Sequence, residues 1–87
     1  MCHSKKWMFT ELVQNPDDPE QLIAYAMYKA DKDDLATQCH VRQVPEEGIV
    51  VELASFHDSI AYSERRLQDY RDKAKRTVDQ LAGSVSE

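Results

Sequence analysis

The clearest hydrophobic pattern in the chain lies in its last third. Between Ser59 and Gly83, apolar or small residues recur at alternating steps of four and three, and charged residues fill the positions between them. This spacing places them on one narrow stripe of an α-helix. The stripe consists of Ile60, Ser63, Leu67, Tyr70, Ala74, Thr77, Val78 and Leu81. It predicts a long helix over residues 59–83 with a coiled-coil-like seam of about three heptads.

The seam predicts an interface with another helix. An 87-residue chain can bury only a modest core, so self-association is expected to add to its stability. We therefore predict a homodimer. Its interface residues would be Ile60, Ser63, Leu67, Tyr70, Ala74, Val78 and Leu81. Ser63, Ala74 and Thr77 are weak seam residues, and pairing with another helix of the same chain stays open as an alternative.

Two further helices are predicted in the first half of the chain. Met8, Phe9, Leu12 and Val13 share one helical face, and the residue before Pro16 is pushed out of the α region, which predicts a helix over residues 5–14. Trp7 is expected to pack at the edge of the core. The next helix is predicted over residues 18–42.

The start of that second helix carries strong local signals. Asp18 can cap it, Pro19 fits the first helical position, and Gln21 stands at the third position of a capping box. Its apolar stripe has one polar interruption, at Asp31. The charged run 31–34 contains neither Gly nor Pro, so we expect the helix to continue through it.

A third short helix is predicted over residues 45–57. Pro45 is followed by Glu46 and Glu47, which favour the positive end of the helix dipole. Asp58 or Ser59 could then cap the final helix, or the last two helices could form one. The pattern does not choose between these two arrangements.

These elements predict an all-α fold. The sequence has only two Gly and three Pro, and it has almost no β-branched runs. We expect a single domain, residues 1–87, of three or four helices. Two long antiparallel helices should dominate this helical hairpin or bundle.

Charge and cysteine content limit the function classes. The net charge is −5, which argues against a general affinity for nucleic acid or anionic membranes. No apolar run reaches the length of a membrane-spanning helix, and the start of the chain lacks the apolar core of a signal peptide. Two cysteines suit a reducing compartment. We therefore predict a cytoplasmic protein without membrane insertion.

The charge is unevenly distributed along the chain. Residues 1–58 carry 11 acidic against 5 basic residues, whereas residues 59–87 carry 5 against 6. The six bases lie between Arg65 and Arg76, but acids are interleaved in the i,i+4 pattern of a solvated helix face. The solvated-face interpretation is therefore favoured. Docking on an acidic protein surface or a phosphate stays open, with Arg65, Arg66 and Arg71 as the candidate contacts.

Two tyrosines suggest a second contact surface. Tyr25 and Tyr28 are three residues apart and cannot both point into one core, so one of them should touch another helix or a partner. Core packing is expected for Tyr28 and for Tyr70. Tyr25 is therefore a candidate partner-binding residue.

Sequence spacing supports neither a metal site nor a catalytic nucleophile strongly. Cys2-His3, Cys39-His40 and His57 contain enough ligand types for one zinc ion, but their spacing matches no zinc motif. Cys39 with His40 or His57 could form a nucleophilic pair, yet no Gly-rich turn would supply an oxyanion hole. We predict no enzyme activity, no cofactor and no metal.

Several short segments together resemble a known group of domains. They are Phe9, Leu12 and Val13, the run IAYAMYK at Ile23–Lys29, Phe56 with His57, and Tyr70–Ala74. This pattern resembles small bacterial and phage-associated cytosolic domains of uncharacterised function, many of them the soluble head of a membrane-anchored protein. The resemblance covers about two thirds of the chain and implies no catalytic motif. It implies a free-standing helical protein, since no membrane segment is present here.

The function expected from these observations is protein binding. We predict a small homodimeric adaptor or inhibitor of bacterial or phage origin that occludes a surface of another protein. The alternative is a regulator that contacts nucleic acid through Arg65 to Arg76, with binding that weakens steeply as salt rises.

Overall fold

The computed structural model describes residues 6–85 and the side chains of residues 6–83. It contains α1 (Met8–Leu12), α2 (Pro19–Val41), α3 (Glu46–Ala61) and α4 (Glu64–Val85), with no strand in this part of the chain. The all-α prediction is confirmed. None of these helices combines the length and the apolar character needed to cross a lipid bilayer.

Asp18 caps α2 as predicted, but Gln21 has a different role. The Asp18 carboxylate accepts the backbone N–H of Glu20 at 3.0 Å. Gln21 donates through Nε2 to Asp18 Oδ2, while its Oε1 accepts the backbone N–H groups of Gln14 and Asn15 at 2.7 and 2.9 Å. Gln21 therefore satisfies two backbone donors of the α1–α2 loop, where a capping box would have satisfied one donor of the cap residue.

The charged run 31–34 lies inside α2, as predicted, and the helix ends in a Schellman motif. The N–H of Val44 donates to the Cys39 carbonyl at 2.9 Å, and the N–H of Gln43 donates to the His40 carbonyl at 3.0 Å. Gln43 has φ = 60°, the left-handed conformation that such a helix end requires. This turn reverses the chain before Pro45 starts α3.

The boundary between α3 and α4 differs from the predicted one. Helix α3 continues through Asp58 and Ser59 to Ala61, and α4 begins at Glu64. Ser63 caps α4 by accepting the Arg66 N–H at 3.3 Å, whereas the Ser59 hydroxyl donates to the Phe56 carbonyl inside α3. The break allows both helices to pack on α2.

Helices α2 and α4 form the main antiparallel pair, and Leu67, Tyr70 and Ala74 of the predicted seam lie on α4, whereas Ile60 lies on α3. Ile60, Leu67, Tyr70 and Ala74 are buried within the same chain. The prediction that these four residues form a homodimer interface is therefore wrong for this fold, because their apolar surface is already covered by the chain's own core. Of the remaining seam residues, Ser63 and Val78 are half-buried and Leu81 is exposed.

Candidate functional site

Four of the eight large apolar side chains that are exposed in the described part of the chain line one groove between α1, α2 and α3, which we call the aromatic groove. Its volume is about 530 Å³. It is lined by Lys6, Trp7, Met8, Phe9, Tyr25, Tyr28, Lys29, Lys32, Val50, Leu53, Ala54, His57, Asp58 and Tyr62. A concave apolar surface left open to solvent is typical of a binding site.

Aromatic rings form the walls of the groove. The Phe9 ring meets the Tyr25 ring edge to face, with centroids 5.1 Å apart. Trp7 is 63% exposed, so the prediction that it packs at the core edge is wrong. Trp7 lies before the first turn of α1 in an extended conformation, and Met8 and Leu12 take the buried positions of that helix instead.

Tyr28 and His57 form the floor of the groove. The Tyr28 ring is buried and stacks on Phe56 with centroids 5.8 Å apart. His57 Nε2 lies 2.8 Å from the Lys6 carbonyl oxygen, and its Nδ1 lies 3.2 Å from the Tyr28 hydroxyl. Because a carbonyl can only accept, Nε2 carries the proton, and Nδ1 accepts from the Tyr28 hydroxyl. This chain of hydrogen bonds fixes the N-terminal wall against the floor.

Burial raises the pKa of the Tyr28 hydroxyl above its ordinary value, and Tyr25 and the Asp58 carboxylate raise it further. The hydroxyl therefore stays protonated at neutral pH and remains a donor to His57. The arrangement supports the shape of the groove and presents no activated nucleophile.

The groove is basic although the whole protein is acidic. Its lining includes Lys6, Lys29 and Lys32 against a single carboxylate, Asp58, whereas the net charge of the chain is −5. The Lys6 ammonium lies 4.9 Å from the centroid of the Tyr62 ring and 4.0 Å from a Glu11 carboxylate oxygen. A basic groove on an acidic protein favours an acidic ligand.

The predicted partner-binding residues lie in two different places. Tyr25 is half-buried in the wall of the aromatic groove. The three arginines lie on α4, away from the groove lining. Arg66 donates to the Ser59 hydroxyl at 2.9 Å, Arg71 donates to the Glu11 carbonyl at 3.0 Å, and Arg65 is exposed. Two of the three arginines therefore make contacts within the chain, and the third lies in solvent.

Cys39 is buried against Glu52 and Arg42. Its Sγ lies 3.5 Å from Glu52 Oε2, and Arg42 Nη2 lies 3.5 Å from the same sulfur. Burial raises the pKa of the Cys39 thiol, and the hydrogen bond to Glu52 raises it further. His40 next to it is exposed. The predicted alternative of a Cys39–histidine nucleophile has no support from these contacts.

The zinc alternative depends partly on residues outside the described part of the chain. Cys2 and His3 precede residue 6. Among the described residues, no group of three or more His, Cys, Asp or Glu side chains could hold a metal ion.

Sequence reasoning identified Tyr25 in this site and missed the groove as a whole. The lining comes from three ranges, 6–9, 25–32 and 50–62, which the fold brings together. No local pattern in the sequence joins these three ranges, so no sequence signal would have located the groove. Val50 and Val51 both lie on α3 and are both exposed, but only Val50 lines the groove.

No family model, no curated protein and no solved structure matches this chain.

Proposed function

We propose that this protein is a non-enzymatic protein-binding module that receives an acidic amphipathic helix of another protein in the aromatic groove. It would act as a small cytoplasmic adaptor or inhibitor by occluding the apolar face of that helix. The observation that carries the proposal is the groove itself, where solvent-exposed aromatic side chains and three lysines converge in an otherwise acidic protein.

The shape of the groove favours a helix as the occupant. Its volume of about 530 Å³ can receive a few side chains, and most of its lining residues lie on α2 and α3. Helix-in-groove binding places apolar residues at i, i+3 and i+4 into such a depression. Rings such as Trp7, Phe9 and Tyr25 supply large contact areas at a small cost in conformational entropy.

The charges favour acidic flanks on that helix. Lys29 and Lys32 are three residues apart on α2, so they lie on one side of the groove, and Lys6 lies on the α1 side. Glutamates or aspartates beside the apolar stripe of the bound helix would face these ammonium groups. Nucleic acid is a weaker candidate ligand, because Arg66 and Arg71 already donate to groups of this chain.

Tryptophan fluorescence tests the proposal directly. Trp7 is the only tryptophan and lines the groove, so its emission should shift to shorter wavelength when the groove is filled. The probe is a synthetic amphipathic helix with a leucine stripe and glutamate flanks. We expect a dissociation constant of about 10–100 µM, corresponding to roughly 5.5–7 kcal/mol of binding free energy. The same peptide with lysine flanks should bind at least about tenfold more weakly.

Adjacent valines provide a matched pair of variants. Val50→Asp places a carboxylate in the groove, and we expect it to weaken peptide binding by about tenfold or more, a loss of about 1.4 kcal/mol. Val51→Asp is equally exposed, at 66% against 63%, and lies outside the lining, so binding should change less than about twofold. Equal effects of the two substitutions, or no preference between the two peptides, would contradict the proposal.

A further inference from the structure

We infer that the aromatic groove selects a helix with two different flanks, in which acidic residues face α2 and a basic residue faces Asp58 of α3. This inference rests on the proposed function, because it names the charge pattern of the helix that the groove receives. It restricts the acidic residues of that helix to one flank. The observation that carries it is the opposite charge of the two walls, with Lys29 and Lys32 on α2 and Asp58 on α3.

Helices α2 and α3 run side by side in opposite directions. The Tyr28 hydroxyl lies 3.2 Å from His57 Nδ1, and Cys39 Sγ lies 3.5 Å from Glu52 Oε2. A step forward along α2 is therefore a step backward along α3. A helix that lies between them has one flank toward α2 and the other flank toward α3.

Lys29 and Asp58 stand at the same level of the groove. Each directly follows one member of the Tyr28–His57 hydrogen bond, and both line the groove. Lys32 lies about one turn further along α2, on the same wall as Lys29. The α2 wall thus carries two ammonium groups where the α3 wall carries a carboxylate.

The fold does not account for a carboxylate at position 58. Asp58 belongs to the last turn of α3, where the negative end of the helix dipole disfavours an acid. Its side chain is exposed, and none of the ion pairs within the described residues includes it. The cap of α4 is Ser63. The Asp58 carboxylate is therefore available to a ligand in the groove.

A bound helix satisfies both walls with two residues that flank one apolar anchor. At 3.6 residues per turn, the residues just before and just after the anchor point about 100° to either side of it and differ in height by only about 3 Å. With the anchor beside Tyr28, one of these residues faces Lys29 and the other faces Asp58. An acid–apolar–base triplet fits this arrangement, whereas an acid on both sides places two carboxylates together at Asp58.

Titration of the full chain with two synthetic helices, followed by Trp7 fluorescence, tests the inference. Both helices carry a leucine stripe and one glutamate flank, and they differ only at the central residue of the other flank, which is lysine in the mixed helix and glutamate in the acidic helix. At physiological ionic strength, we expect the wild type to bind the mixed helix about threefold more tightly, the size of effect of one exposed charge pair.

Substitution of Asp58 should change this preference. Asp58→Asn should remove it, and Asp58→Lys should reverse it, so that the acidic helix binds about threefold more tightly. Asp69→Lys is the matched control, because it makes the same charge change at an exposed position of α4 outside the groove lining. It should keep the wild-type preference. Circular dichroism verifies that each variant remains folded.

The outcomes separate this inference from the proposed function. A wild type that binds both helices equally, or the acidic helix more tightly, would overturn the inference and leave the proposed function standing. A preference that survives Asp58→Lys, or one that Asp69→Lys also reverses, would do the same. A wild type that binds neither helix would overturn both.

Discussion

At the scale of single residues, two tyrosines combine packing with hydrogen bonding. The Tyr28 and Tyr70 rings meet edge to face, with centroids 6.1 Å apart, in the middle of the core. Tyr70 donates its hydroxyl proton to Asp31 Oδ2 at 2.6 Å. This contact explains the polar interruption in the α2 stripe, because a buried hydroxyl needs an acceptor and Asp31 supplies it. The predicted core packing of Tyr28 and Tyr70 is confirmed.

The Tyr70 hydroxyl makes the free energy of unfolding depend on pH in the alkaline range. Burial first, and then the hydrogen bond to Asp31, raises the pKa of Tyr70 well above its ordinary value of 10.0. The pKa is higher in the folded state, so the folded protein holds the proton longer than the unfolded chain. The stabilising contribution of the protonated Tyr70 hydroxyl is complete below about pH 10 and is lost as the pH rises above that value.

We expect Tyr70→Phe to lower the free energy of unfolding at pH 7 by about 1–2 kcal/mol, since the partner Asp31 is exposed and can be rehydrated. Urea unfolding between about pH 9 and 11.5 should show that the free energy of unfolding falls as the pH rises. A single titrating tyrosine contributes at most about 1.4 kcal/mol per pH unit to this fall. The decline should be shallower in Tyr70→Phe. A decline as steep as in the wild type would contradict this role of the hydroxyl.

At the scale of elements, α1 depends on the other three helices. It has only five residues, too few to be stable alone. Gln21 of α2 accepts from two backbone N–H groups just after it, His57 of α3 donates to the Lys6 carbonyl before it, and Arg71 of α4 donates to the Glu11 carbonyl within it. Because this segment forms one wall of the aromatic groove, these contacts also set the groove's shape.

Two arginines of α4 provide a matched test of this dependence. Arg71→Ala removes the donor to Glu11 and should lower the free energy of unfolding by about 1 kcal/mol, with faster amide exchange over residues 8–13. Arg65→Ala, at an exposed position, should change stability by less than about 0.5 kcal/mol. Similar exchange in the two variants would show that Arg71 does not hold α1 in place.

At the scale of the whole molecule, one part of the amphipathic stripe of α4 lies in the core and another part lies in solvent. Its first part, from Leu67 to Ala74, is buried against α2, and its last part, around Leu81, lies in solvent. A chain of this size has a small core, and it uses the most apolar part of the stripe for that core. The remaining exposed apolar side chains include Leu81 at the α4 end, those of the aromatic groove, and Leu22, Val41 and Val51 outside both places.

Two leucines of one stripe should therefore respond differently to the same substitution. Leu67→Asp buries a carboxylate in the core and should cost about 3–5 kcal/mol, enough to unfold much of the protein. Leu81→Asp should leave the thermal transition within a few degrees of the wild type. Thermal unfolding followed by circular dichroism measures both. A folded Leu67→Asp protein would indicate that the seam faces outward, as the homodimer prediction required.

The sequence by itself determined the helical class and most helix positions. The 3.6-residue periodicity, the Asp18-Pro19 start, the stop before Pro16 and the Pro45-Glu46-Glu47 start are local signals, and local hydrogen bonding decides where such elements form. It also indicated that Tyr28 and Tyr70 are core residues. These properties depend on neighbours within a few positions along the chain.

Only the tertiary structure decided what covers each apolar face. Periodicity shows that the α4 stripe is apolar, but whether α2 or a second copy packs on it depends on how the chain reverses at Gln43 and at Tyr62–Ser63. The aromatic groove likewise needs residues more than 40 positions apart, such as Phe9 and Tyr62, on one surface. Contacts of that separation follow from the packing of whole helices, which no local pattern specifies.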